Sequence, residues 1–371
     1  MNKKAFLLAG ALVSLACLGS LQAAGTKPLM NSGSSRKVEK APDKTAGKKI
    51  DLLSATREAG KTLYRNKTFI GKRFSGSNDT VNKESSGAAL KGDQERELIV
   101  TGCTFRDNGS STWGTWGGAI AGSEKTCMTI TDSTFVNNKA HHGGALALVG
   151  NDQTITLQDV SFQDNHALEK SGSVGGAILL QGTGIKLVYQ VSAGKSIVNS
   201  GNTAVYGGFL HTHNGGIDLV FDVDSRGELV IGKKAANADS FNLARGTTFK
   251  KSGSGTMIIN SSITQESPYG GQTKTDGSDF VVEKGILQLT HAGQIKGIME
   301  ILSGGGLIIP DGCTVENVII RKGGRLLIEK GGRVVNLEKE DGAKVELSDA
   351  ADNASGDSSA EKGKKNGAPK K

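Results

Sequence analysis

Apolar and polar residues alternate along most of this chain in short runs, as in Thr129-Ile130-Thr131, and glycines punctuate the runs. Period-two alternation predicts short half-buried strands joined by tight turns, and no stretch sustains a helical period. The register of one strand set can be read directly. Two residues past four Gly-Gly pairs stand Ile120, Leu146, Ile178 and Leu210. Leu148 and Leu180 share their side, because strands alternate faces, so this side points inward. Ala147, Leu179 and His211 then point outward.

The strands belong to a repeat. Phe105/Asn108, Phe135/Asn138 and Phe162/Asn165 are each followed by a glycine pair: Gly117-Gly118, Gly143-Gly144 and Gly175-Gly176. A degraded fourth copy has Asn202 and Gly207-Gly208, with Asn199 in place of the phenylalanine. Further on, Gly293, Gly312 and Gly331 fall 19 residues apart, and Ile295, Val315 and Val334 follow at nearly equal offsets. Gly285, Gly306 and Gly324 each open an apolar run, and Phe249 precedes Phe280 by about one repeat.

Each unit has one apolar face that it cannot bury alone. Coiling the chain so that every strand bonds to its copy in the next turn satisfies the backbone and makes a continuous core. The expected fold is therefore all-β, a parallel β-helix. It would have on the order of ten turns and run to roughly 50 Å at the usual strand spacing. The phenylalanines should stack inward. The asparagines should mark one corner, bonding along the ladder, and the glycines should supply corner dihedrals closed to other residues.

Charge and termini set the boundaries. Residues 1–24 read as a secretory signal peptide: Lys3 and Lys4, an apolar stretch from Ala5 to Leu18, then small residues at Ala23 and Ala24. An uncleaved anchor and lipidation at Cys17 are the other readings. Residues 25–94 read as a low-complexity basic arm, with fifteen Lys or Arg against seven Asp or Glu, an excess equal to the +8 of the whole chain. Within it, Ile50 to Phe74 has enough apolar residues for a short helix or strand. The repeat body spans 95–348, divided at 214/215, and 349–371 form a polar tail. Beyond the signal, Cys103, Cys127 and Cys313 allow at most one internal disulfide, and Cys103 with Cys127 is one possible pair.

The Phe-x-x-Asn and Gly-Gly-Ala pattern, over about Thr101 to Asn214, resembles the polymorphic outer-membrane proteins, a family of bacterial surface autotransporters and adhesins. The 19-residue units and Lys251-Ser-Gly-Ser-Gly-Thr-Met-Ile-Ile259 resemble autotransporter passenger repeats. The resemblance implies a right-handed β-helix at the cell surface or outside the cell, binding a protein or glycan of a host or neighbouring cell. It implies no catalytic residues, cofactor or metal. After Leu347 no strand pattern continues, so the likeness stops short of a membrane barrel, and a periplasmic location is the alternative.

Candidate chemistry is sparse. His211 and His213 lie on one outward strand face, where two imidazoles could take a metal; ordinary surface histidines is the preferred reading. His141-His142 lies in a loop expected to be solvated. Asp222 and Asp224 share a strand face, and paired carboxylates can hydrolyse glycosides, so a polysaccharide lyase or hydrolase is the alternative function. An exposed acidic edge is preferred for them. Trp113 and Trp116 could stack on sugars, but capping the open end of the core is favoured because theirs is the first recognisable turn. The basic arm could meet an outer-membrane surface or acidic glycans. Nucleic acid is not expected. An envelope protein joined by intermolecular cysteine bonds is a third reading.

Overall fold

The computed structural model describes residues 56–58, 60–73, 86–92, 97–110, 113–168, 172–233, 238–265, 279–290 and 294–348. The signal peptide, most of the basic arm, Gly293 and the tail from 349 lie outside these residues. The stacked strands belong to one compact unit, Arg57–Lys371.

Every regular element among the described residues is a strand, and the fold is a parallel β-helix. One side is a 12-stranded sheet, parallel from Lys61–Arg65 through Arg333–Lys339. A second side begins as the four strands Thr68–Ile70, Thr104–Arg106, Thr134–Val136 and Ser161–Gln163. Gln163 then bridges to Ser200, just past the first strand of a seven-stranded sheet that runs from Ser196–Asn199 to Lys344–Leu347. The third side is a seven-stranded sheet from Leu90–Lys91 to Ile263–Thr264. Past Thr264 the later strands add to the first two sides only. The repeat shortens accordingly: Asn336 bonds to Asn317 across 19 residues, whereas Asn108 bonds to Asn138 across 30.

The coil starts earlier than Glu95. Lys61–Arg65 pairs in register with Glu97–Thr101, and Thr68–Ile70 with Thr104–Arg106. Leu63 and Phe69 are the inward residues of this first coil, each 4% exposed. Lysines and arginines fill the positions around them, so composition reads as a solvated arm although the alternation is intact.

Inside, Phe69, Phe105, Phe135 and Phe162 form one stacked column, with centroids 4.8, 4.7 and 4.9 Å apart and planes within 12°. Rings stacked at this spacing add roughly 0.5–1.5 kcal/mol per pair beyond their buried area. The column ends at Asn199, fully buried, whose side-chain oxygen accepts from Phe162 N at 2.8 Å. Asn199 Nδ2 donates to the Tyr189 hydroxyl at 3.1 Å, and that hydroxyl donates to the Val160 carbonyl. Phe209 meets Phe162 edge-on, and Phe221, Phe249 and Phe280 carry the aromatic core onward.

The corner asparagines bond to one another. Asn108 donates through both N and Nδ2 to Oδ1 of Asn138, at 3.1 and 2.9 Å. Asn138 does the same to Asn165, and Asn165 to Asn202. The second Nδ2 hydrogen reaches back to a carbonyl of the coil before: Phe69, Phe105, Phe135 and Phe162 in turn. Each buried amide is thereby satisfied, as a dry corner requires.

The paired glycines divide two tasks. The first of each pair, Gly117, Gly143, Gly175 and Gly207, has φ between 62° and 67°, the left-handed region. The second permits close approach. A Cβ on Gly118, Gly144 or Gly176 would lie 2.1–2.3 Å from the carbonyl oxygen of the glycine one coil on.

Candidate functional site

The residue before each glycine pair belongs to a ladder outside the third sheet. Ser86 bridges to Trp116, Trp116 to His142, and Val174 to Tyr206, all parallel. Gly117 N, Gly143 N and Gly175 N donate to the carbonyls of His142, Val174 and Tyr206 at 2.9–3.0 Å. The chain therefore passes over the outside of the sheet before turning into it. Ala147, Leu179 and His211 do point away from the main core, but all three are fully buried. Ala147, Leu179 and Val174 form a second apolar cluster, with Trp116 and Val149 packed against it.

This corrects three expectations. His211 faces outward yet has no solvent exposure, so it is not a surface histidine. His141 is 3% exposed, so its loop is not solvated. Trp116 covers this second cluster rather than the end of the core, and the first coil precedes it.

Four rings run in contact across this belt. Trp113 lies 4.0 Å from His141, His141 3.8 Å from His142, and His142 4.4 Å from Trp116, centroid to centroid. Gly114 N donates to His141 Nδ1 at 3.3 Å, which assigns the ring proton to Nε2. His141 N donates to Thr115 Oγ1 at 2.9 Å. His141 Nε2 and His142 Nδ1 are buried without a hydrogen-bond partner. Trp113 itself is 52% exposed, so a half-open indole stands on an anchored imidazole. Val205 and Tyr206 are exposed farther along the same ladder.

Burial makes the belt a poor host for charge. It pulls His142 down to about 3, helped by His141, His211 and His213. It pulls His211 to about 3 as well, helped by His213 and opposed by Asn242, its register partner. His141 and His213 are lowered for the same reason. His211 and His213 have centroids 5.9 Å apart, and the described residues contain no group of three or more His, Cys, Asp or Glu able to hold a metal.

The remaining candidates are separate. Asp222 lies in a row between Gln190 and Ser252, and its Oδ1 lies 3.3 Å from Ser252 Oγ. Asp224 lies beyond the strand end and accepts from Ser225 N at 2.7 Å. Cys103 is a buried free thiol, bonded to the Thr101 carbonyl at 3.4 Å, and so does not pair with Cys127. Burial raises its pKa. Alternation did not reveal Lys251, which occupies the core row between Phe221 and Val282 and has no solvent exposure. Its amine donates to the carbonyls of Ser252, Gly253 and Lys284 at 2.7, 2.9 and 3.0 Å.

The crystal structure of a TibC-catalyzed hyper-glycosylated TibA fragment is similar at 14% identity, covering 78% of this chain and 98% of that one, with a TM-score of 0.18. No protein-family model and no curated protein matches the chain.

Proposed function

We propose that this chain is an exported, adhesin-like β-helical protein that acts by presenting an extended binding surface rather than by catalysis. The observation that carries this reading is Trp113. An indole left half exposed, yet fixed against a buried and hydrogen-bonded ring, loses little conformational freedom when it meets a partner. Tyr206 and Val205 are also exposed, farther along the coils. Tryptophan and tyrosine are the side chains that most often dominate binding when a partner covers them. The partner in this reading is a protein or glycan on a host or neighbouring cell, and the protein stands at the cell surface or outside the cell.

The test is binding of the labelled full chain to whole cells. Trp113→Ala and Tyr206→Ala should each weaken it at least about fivefold, in the range of moderate interface anchors. Equal binding by the double variant would sink the reading. Protease added to intact producing cells should cut the protein, and protection until the outer membrane is opened would remove the surface location.

A further inference from the structure

The first two coils carry a second surface of different chemistry. Arg65, Lys67, Lys72, Arg73 and Arg106 join none of the ion pairs formed among the described residues. Some cations elsewhere on the solenoid are neutralised. Lys195 sits 2.8 Å from both Asp132 and Asp159, and Arg321 joins Glu300 to Glu340. Arg73 is held in place without being neutralised, since Nη1 donates to the carbonyls of Lys72 and Asp107 at 3.3 and 2.7 Å. The acids among the described residues from Lys61 to Gly109 are Glu97 and Asp107. Glu97 is engaged by Lys61 at 3.6 Å, and Asp107 accepts from Asn137 Nδ2.

One exposed apolar side chain lies beside these cations in sequence and register. Ile70, 56% exposed, is the most exposed large hydrophobic residue among those described. Arg106 is its register partner on the next coil. Arg65 and Lys67 lie at the corner leading into the Thr68–Ile70 strand, and Lys72 and Arg73 follow directly after it.

We propose that this side of the first two coils docks on an anionic lipid surface. Un-neutralised arginines and lysines attract phosphate-bearing headgroups, while an isolated aliphatic side chain among them can enter the acyl boundary. An acidic polysaccharide would use the cations but would gain nothing from Ile70. The surface lies on folded coils, apart from the belt around Trp113, and does not depend on the cell-binding reading.

The experiment is sedimentation of the full chain with vesicles. Phosphatidylcholine vesicles containing phosphatidylglycerol should carry the protein down, phosphatidylcholine alone should not, and added salt should release it. Replacing all five cations with Gln should lower partitioning at least tenfold, since each contributes roughly a fivefold factor near a charged surface. Ile70→Asn, at an exposed position that leaves the core intact, should lower it about threefold or more. Circular dichroism checks that each variant keeps its strand spectrum. Should the fivefold variant misfold, Ile70→Asn decides alone. Undiminished binding by the variants, or binding that ignores Ile70 while heparin strips the protein from vesicles, overturns the proposal, the latter in favour of an acidic polymer.

Discussion

Asn202 passes the corner ladder to an acid: its N and Nδ2 both donate to Oδ1 of Asp239, at 2.9 and 2.7 Å. Gly201 N donates to the other carboxylate oxygen at 2.8 Å. Upstream, each asparagine both gives and receives. The Asp239 carboxylate only receives, so the side-chain ladder terminates there, while Asp239 N donates to the Asn202 carbonyl at 2.8 Å; burial raises the carboxyl pKa despite these bonds. Asp239→Ala would orphan three N–H donors, the two of Asn202 buried, and should cost on the order of 3 kcal/mol in urea unfolding. Asp239→Asn keeps one acceptor oxygen and should cost less. An alanine variant as stable as the wild type would show that the ladder does not hold this corner.

Two glycine substitutions separate conformation from contact. A Cβ on Gly144 would lie 2.2 Å from the Gly176 carbonyl oxygen and 2.6 Å from His166 backbone atoms, none of which can move alone. Gly144→Ala should therefore abolish soluble folded protein. Gly194 has φ 72° and nothing within 4 Å of a built Cβ, so Gly194→Ala should cost only about 1 kcal/mol, for the left-handed dihedral. Comparable yields of the two proteins on expression would refute the close-approach argument.

The belt makes stability depend on acid. His142 and His211 stay neutral in the folded chain down to about pH 3, while the unfolded chain protonates them near 6.5. Between those values the unfolded state binds more protons, so stability rises with pH across the window and falls as pH drops through it. Each histidine should contribute a slope of up to about 1.4 kcal/mol per pH unit. Urea midpoints at pH 7, 6, 5 and 4 measure it, and His211→Leu should reduce the slope by up to about 1.4 kcal/mol per pH unit, the share of one histidine. A pH-independent midpoint would mean that the rings reach water.

What the sequence made legible was whatever repeats. Phe105, Phe135 and Phe162, or Ile120, Leu146, Ile178 and Leu210, declare one register because each copy votes for the same face. The covered belt was illegible for a physical reason. Alternation says that Ala147, Leu179 and His211 point away from the core, but not whether another stretch of chain lies over them. The cover comes from single, non-repeating residues such as Trp116 and Val174. The first coil was hidden differently, its Leu63 and Phe69 outnumbered by cations. Cell binding at Trp113 and lipid binding at Ile70 rest on exposure, which no one-dimensional pattern reports.

Lys251 breaks the alternation that the other core rows obey. Its stem lies where Phe221 and Val282 lie in adjacent coils, and its amine gathers three carbonyls at the corner. Three carbonyls match the three hydrogens of an ammonium, while burial pulls the pKa from 10.5 to about 8, opposed by Asp222. At neutral pH the clamp should outweigh the burial, because Lys251→Met leaves all three carbonyls without their donor, at a cost on the order of 3 kcal/mol. From about pH 8 to 10.5 the unfolded chain holds this proton more tightly than the folded one, so wild-type stability should rise with pH there. The methionine variant should lose that rise. Urea unfolding of both proteins at pH 7, 8 and 10 separates the two effects. A methionine variant more stable than the wild type at pH 7 would make the amine a burden on the core rather than its clamp.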